Sequence, residues 1–116
     1  MFVYADNAAT TCVSKTALDA MMPYLTEQYG NPSSLYAFAQ NAKEALEASR
    51  KTVADIIGAQ PKEIYFTSGG SEADNQAIVS MAKVGAIKGK KHLISTKFEH
   101  HAVLHTLKKL EKEGFE

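Results

Sequence analysis

The stretch Ile64-Tyr-Phe-Thr-Ser-Gly-Gly-Ser-Glu-Ala-Asp-Asn75, running on into Gln76-Ala-Ile-Val, changes character in its middle. Ile64, Tyr65 and Phe66 are β-prone and apolar, and they predict a short buried strand. Thr67-Ser68-Gly69-Gly70 is a turn of small residues. A helix is predicted from Ser71, a preferred N-cap, with Asp74 three residues on as a near relative of the capping box. Strand, glycine turn and helix start bring several backbone N–H groups and a positive dipole end to one point, which suits a phosphate. Gly69 and Gly70 let the backbone approach an anion, and the hydroxyls of Thr67, Ser68 and Ser71 add donors. An ordinary capped helix with no ligand fits the same residues.

The rest of the chain limits what this turn can serve. With 116 residues, 45% of them hydrophobic and 22% charged, the chain has the size and make-up of one small globular domain. Lys+Arg and Asp+Glu both number 13, so no general attraction to nucleic acid is expected. Cys12 is the one cysteine, which excludes an intrachain disulfide and a cysteine-rich metal site. The longest apolar runs fall far short of a membrane span, and Met1-Phe-Val-Tyr-Ala-Asp lacks the basic start and apolar core of a signal peptide. A cytoplasmic protein is expected.

Phe2-Val3-Tyr4 is a short extended run, and Ala5 to Thr11 reads as a polar loop. Ser14 is a good N-cap for a helix carrying Ala17, Leu18, Met21, Met22 and Leu25 on one face, with Pro23 expected to kink or divide it. Tyr29-Gly-Asn-Pro-Ser-Ser34 is a break with strong turn chemistry. Leu35 to Ile57 is the longest predicted helix, apolar along Phe38, Ala42, Ala45, Leu46, Val53, Ile56 and Ile57, and Gly58 closes it. Its charges, Arg50 among them, read as a solvated face. After the glycine turn, Ala73, Ala77, Ile78, Met81 and Ala82 mark a helix to about Gly85, followed by the basic surface turn Lys88-Gly-Lys-Lys91. His92 to Lys97 reads as a second strand, and Val103, Leu104, Leu107 and Leu110 mark a last helix ending at Gly114.

Strand–helix–strand–helix is a βαβ arrangement, so the fold class is α/β with a parallel sheet and right-handed crossovers. Ligands of such sheets bind outside the C-terminal strand ends, where both the Thr67–Ser71 and the Phe98–His101 turns fall. A parallel sheet is normally covered on both faces and has several strands. Two central strands and the short arm are too few, and Phe115-Glu116 resembles the approach to a further strand. An N-terminal piece of a larger α/β protein is therefore expected.

Neither the P-loop pattern nor G-x-G-x-x-G occurs, which weakens ATPase and NAD readings. His101 and His105 stand one helical turn apart, but no H-E-x-x-H motif or supporting cysteine accompanies them, and no metal site is expected. His100 lies at a strand end beside the candidate phosphate turn, a position suited to ring stacking or proton transfer.

Four segments together resemble the pyridoxal-phosphate-dependent cysteine desulfurases of aminotransferase class V, of the NifS/IscS-like kind. They are Tyr4-Ala-Asp-Asn-Ala-Ala-Thr-Thr11, Gly30-Asn-Pro-Ser-Ser-Leu35, Phe66-Thr-Ser-Gly-Gly-Ser-Glu-Ala-Asp-Asn75 and Glu99-His-His-Ala-Val-Leu104. They stand in the family's order and span nearly the whole chain. The resemblance implies the N-terminal portion of the PLP-dependent transferase fold, a parallel or mixed sheet with flanking helices. It divides the chain into an arm and active-site loop over 1–13 and, over 14–116, a helical entry segment with the first part of the large cofactor domain.

By the same resemblance, Gly70 and Ser71 bind the phosphate of pyridoxal 5'-phosphate, and His100 stacks on the pyridine ring and moves a proton. Asn7 and Ala8 lie near the substrate pocket. The implied reaction converts L-cysteine to L-alanine and leaves a persulfide on an enzyme cysteine. The implied assembly is a homodimer that passes sulfur to an iron–sulfur scaffold or other acceptor protein. Tyr36 and Cys12 depart from the family's usual histidine and proline. The family's cofactor-anchoring lysine, its aspartate and arginine and its persulfide cysteine come later in its sequences, so the 116-residue chain alone is expected to be inactive. Selenocysteine lyase or aminotransferase activity, or a non-catalytic phosphate-binding module, remain alternatives.

Overall fold

The structure is a computed structural model that describes all residues from Met1 to Glu116. It contains four α-helices and one 3-10 turn, and it divides into two compact units, Met1–Ile64 and Tyr65–Glu116.

In the first unit, α1 spans Lys15–Thr26 and begins as its sequence predicts, with the Ser14 hydroxyl accepting from the Ala17 N–H. Pro23 does not divide α1, which continues to Thr26; the Pro23 carbonyl then accepts from both Glu27 and Gln28 N–H groups. The Tyr29–Ser34 break folds as a turn in which Asn31 uses its side chain and its carbonyl to accept from Ser33 and Ser34. The next helix, α2, spans Ala37–Ile57 and ends on Gly58 in the left-handed conformation, φ 70°. The Gly58 and Ala59 N–H groups return to the last turn, closing its free carbonyls.

Gly30 permits the tight entry to α2, because a Cβ there would stand 2.6 Å from the Phe38 carbonyl oxygen. Tyr29 packs edge-on against Phe38 with ring centroids 5.3 Å apart. Ala39 and Ala54 are fully buried. Arg50 departs from the solvated face expected of it. Its side chain is only 20% exposed, and its guanidinium donates to the Ile64 carbonyl at 2.5 Å, tying α2 to the chain beyond the 3-10 turn Pro61–Glu63.

In the second unit, α3 spans Gly70–Ile87 and packs against α4, His101–Lys112. Ala82, Thr106 and Leu110 are buried. Val103, Leu104 and Leu107 are half-buried beside them, as the apolar stripe of α4 predicts.

No β-strand forms, which corrects the two strands expected from sequence. Ile64 has extended dihedrals, but Tyr65 and Phe66 are exposed rather than buried. The segment 92–97 likewise forms no strand. Local sequence can favour an extended backbone, but a strand exists only when a second backbone completes its hydrogen bonds. One such pairing is present. Leu93 N–H donates to the Glu116 carbonyl at 2.7 Å, and Glu116 N–H donates to the Lys91 carbonyl at 2.8 Å. Alternation of bonds to the residues either side of His92 is the pattern of a parallel ladder. Lys91 Nζ also lies 5.8 Å from the centre of the Phe115 ring.

Candidate functional site

The start of α3 differs in detail from its sequence prediction. The cap is Gly69 and not Ser71, and Ser71 sits inside the first turn with Gly70. Asp74 does not complete a capping box. Glu72 reaches back instead, its carboxylate accepting from the Ser68 N–H at 2.7 Å and the Ser68 hydroxyl at 2.6 Å. These two bonds, the hydroxyl's first, hold the Glu72 carboxyl below its ordinary pKa. Glycine at the cap leaves the turn open, and the Glu72 side chain supplies the order that a serine cap would have given.

This geometry sorts the three hydroxyls that the sequence offers to an anion. Thr67 Oγ1 donates to the Gly69 carbonyl, and Ser68 Oγ is held by Glu72. Only Ser71 remains in the role expected of it. The first bond of the helix backbone runs from Ala73 N–H to the Gly69 carbonyl, so Gly70, Ser71 and Glu72 present N–H groups without helical acceptors. A Cβ at Gly69 or Gly70 would meet nothing within 4 Å. The donor set and the open space around it fit a phosphate group.

His100 is the N-cap of α4. Its Nδ1 accepts from the Ala102 N–H at 3.1 Å. A ring nitrogen that accepts carries no hydrogen, so the neutral imidazole holds its hydrogen on Nε2. Ser71 and His100 line one open groove, together with Asn75, Ala102, His105 and Thr106. The two predicted segments of the second unit are therefore brought together. Asn7 and Ala8 lie in the first unit, in a turn where the Asp6 carbonyl accepts from Ala9 and Thr10.

Sequence reasoning missed the polar pair between the helices. Thr106 is 4% exposed, and its hydroxyl lies 2.5 Å from Asn75 Oδ1 and 2.7 Å from the Ala102 carbonyl. The signal was present: Thr106 is a polar residue within the apolar stripe of α4. The neighbouring imidazoles of His101 and His105 stand 5.3 Å apart by ring centroid, and no group of three or more His, Cys, Asp or Glu side chains gathers as metal ligands.

Residues 3–116 match the family model for aminotransferase class V. Cysteine desulfurase IscS of Methanosarcina thermophila is 54% identical over 98% of this chain and 28% of its own length. The protein of the same name from Neisseria meningitidis serogroup A is 53% identical, again over 98% and 28%. Among solved structures, a NifS-like protein superposes with a TM-score of 0.93 at 40% identity, covering 100% of this chain and 32% of that one. SspA in complex with cysteine superposes with a TM-score of 0.88 at 41% identity, over 97% and 32%. The chain belongs to the aminotransferase class V family and shares the fold of its NifS-like members over its whole length. Its similarity to proteins named cysteine desulfurase places it beside the IscS/NifS-like branch, and it spans less than a third of the length of these relatives. No helix is long and apolar enough to cross a membrane.

Proposed function

We propose that this chain is the N-terminal part of a pyridoxal-phosphate-dependent cysteine desulfurase. The observation that carries this reading is the shared groove in which the first turn of α3 and the cap of α4 present Ser71 and His100 together. The relatives named cysteine desulfurase supply the substrate class, and the structure of SspA with cysteine agrees with it. When bound, pyridoxal phosphate supplies an electron sink for cleavage at the substrate's β-carbon.

Gly70 and Ser71 hold the phosphate through backbone N–H groups and the Ser71 hydroxyl, with the helix dipole adding favourable potential. His100 stacks on the pyridine ring, oriented by its Nδ1 contact to Ala102, and its Nε2 is the atom that exchanges a proton. Asn7 and Ala8 border the substrate pocket. L-cysteine and an enzyme thiol become L-alanine and an enzyme persulfide, a transfer in which one sulfur atom moves and no external oxidant is needed. The complete protein acts as a cytoplasmic homodimer that passes this sulfur to an acceptor for iron–sulfur assembly. The parallel sheet of the family is completed by chain beyond these 116 residues, and these residues alone are inactive.

Borohydride reduction of the full-length protein followed by intact mass measurement is the test, paired with assay of alanine from L-cysteine. One pyridoxyl-phosphate adduct per chain with alanine and persulfide formed in equal amounts is the expected result. An adduct without alanine formation moves the assignment to another class V activity. Absence of the adduct removes the cofactor reading.

A further inference from the structure

Asn75 stands where the two halves of the groove meet. Its Nδ2 donates to the Ser71 carbonyl at 2.7 Å and, more weakly, to the Ala102 carbonyl at 3.4 Å. Its Oδ1 faces the Thr106 hydroxyl at 2.5 Å, and that hydroxyl also reaches the Ala102 carbonyl at 2.7 Å. One amide thus touches the residue of α3 assigned to the phosphate and the turn of α4 whose Ala102 N–H fixes the His100 ring.

An amide suits this position because it donates and accepts at once. The two helix carbonyls can accept a second hydrogen from the amide, and the amide oxygen offers the hydroxyl an acceptor on the facing helix. A carboxylate would repel the carbonyls, and an aliphatic side chain would leave the buried Thr106 with fewer partners. Burying a hydroxyl between two helices is costly unless it is bonded, so a satisfied Thr106 resists sliding of α4 along α3. Both helices still bury apolar residues, Ala82 on α3 and Leu110 on α4, and apolar burial is non-directional. Relative to that packing, the Asn75–Thr106 pair adds a defined register.

The geometry points to Asn75 as a positioning residue, locked by Thr106, that couples the phosphate turn at Ser71 to the orientation of the His100 ring. The inference rests on the function proposed above for Ser71 and His100. Asn75 touches neither cofactor nor substrate and acts through these two residues. Its consequence is that the phosphate and ring sites cannot be set independently: a change at the α3–α4 joint reaches both.

The test uses Asn75→Ala, Thr106→Val and Thr106→Ser in the full-length protein. Asn75 is exposed on a helix and alanine favours helices, so Asn75→Ala is suited to fold. Two readouts are followed: nitrogen-15 NMR shifts of the His100 ring without cofactor, and the release rate of pyridoxal phosphate from the loaded protein. Asn75→Ala and Thr106→Val should each turn a single Nε2–H tautomer into a mixture and speed release about tenfold, the scale of one lost hydrogen bond. Thr106→Ser should behave as the parent protein in both. Movement of one readout alone, or of neither, overturns the coupling even if the thermal midpoint falls, and so does failure of Thr106→Ser to restore both. A parent protein that binds no pyridoxal phosphate would instead overturn the proposed function, while the His100 tautomer still reports whether Asn75 and Thr106 hold the ring.

Discussion

Ser71 is the one hydroxyl of the glycine turn left for a phosphate, because Thr67 and Ser68 bond within the turn. Ser71→Ala in the full-length protein should weaken cofactor retention by roughly 1.5–3 kcal/mol, the range for a hydrogen bond to a charged group. Equilibrium dialysis against pyridoxal phosphate checks this, and unchanged affinity would take Ser71 out of the site. Glu72 supports a prediction in pH. Its pKa in the folded protein lies below the ordinary 4.5, so its contribution to stability is fully present above the unfolded value. That contribution is lost as pH falls through the lower folded value. In the full-length protein, the difference in urea midpoint between the parent and Glu72→Gln should therefore narrow as the pH is lowered from 7 towards 3. A constant difference would count against the Ser68 contacts as its source. Of these residues, Ser71 and His100 were singled out from sequence as candidates, because hydroxyl, glycine and imidazole chemistry at element ends is local, and the structure brings the two to one groove. Glu72 was not, since two acidic residues follow Ser71 within three positions and only the backbone trace shows which one reaches back.

All four helices were legible in their order and approximate extent, because a 3.6-residue apolar period and a capping residue are properties of a short window. Ser14 and Gly58 cap as expected. Of the two effects expected of Pro23, a kink or a division, α1 shows no division, and α3 begins one residue before its predicted start. The entry to α2 supplies a prediction at this scale. Gly30→Ala would place its Cβ 2.6 Å from the Phe38 carbonyl oxygen and 2.9 Å from the Ala39 Cα, both backbone atoms that cannot swing aside. The substitution should cost about 1–3 kcal/mol, as forced overpacking does. A chemical denaturation midpoint of the full-length variant indistinguishable from the full-length parent's would show that the α2 start is free to shift.

For the whole molecule, exposure is the deciding quantity. The chain presents 9581 Å² of accessible surface. Ile94, Phe98 and Ile87 are among the large apolar side chains left almost fully exposed. Such surfaces seek a cover, and a small apolar core cannot offset the conformational entropy of ordering the chain. The isolated 116-residue chain should therefore show no sharp, reversible thermal transition as a monomer. Differential scanning calorimetry with light scattering tests this, and a cooperative monomeric transition would sink it. Ile64 to Phe66 and His92 to Lys97 have the composition of strands, but apart from Leu93 with Glu116 no second backbone pairs with them.

The sequence by itself determined the helices, the caps at Ser14 and Gly58, the glycine turn and the family, since each depends on residues close together or on motifs in fixed order. Tertiary structure decided that Arg50 bonds the Ile64 carbonyl and that Asn75 and Thr106 join two helices. It also decided that a parallel pairing exists only between Lys91, Leu93 and Glu116. These are contacts between residues distant in the chain. Their geometry follows from how elements pack, and no local pattern of side chains specifies it.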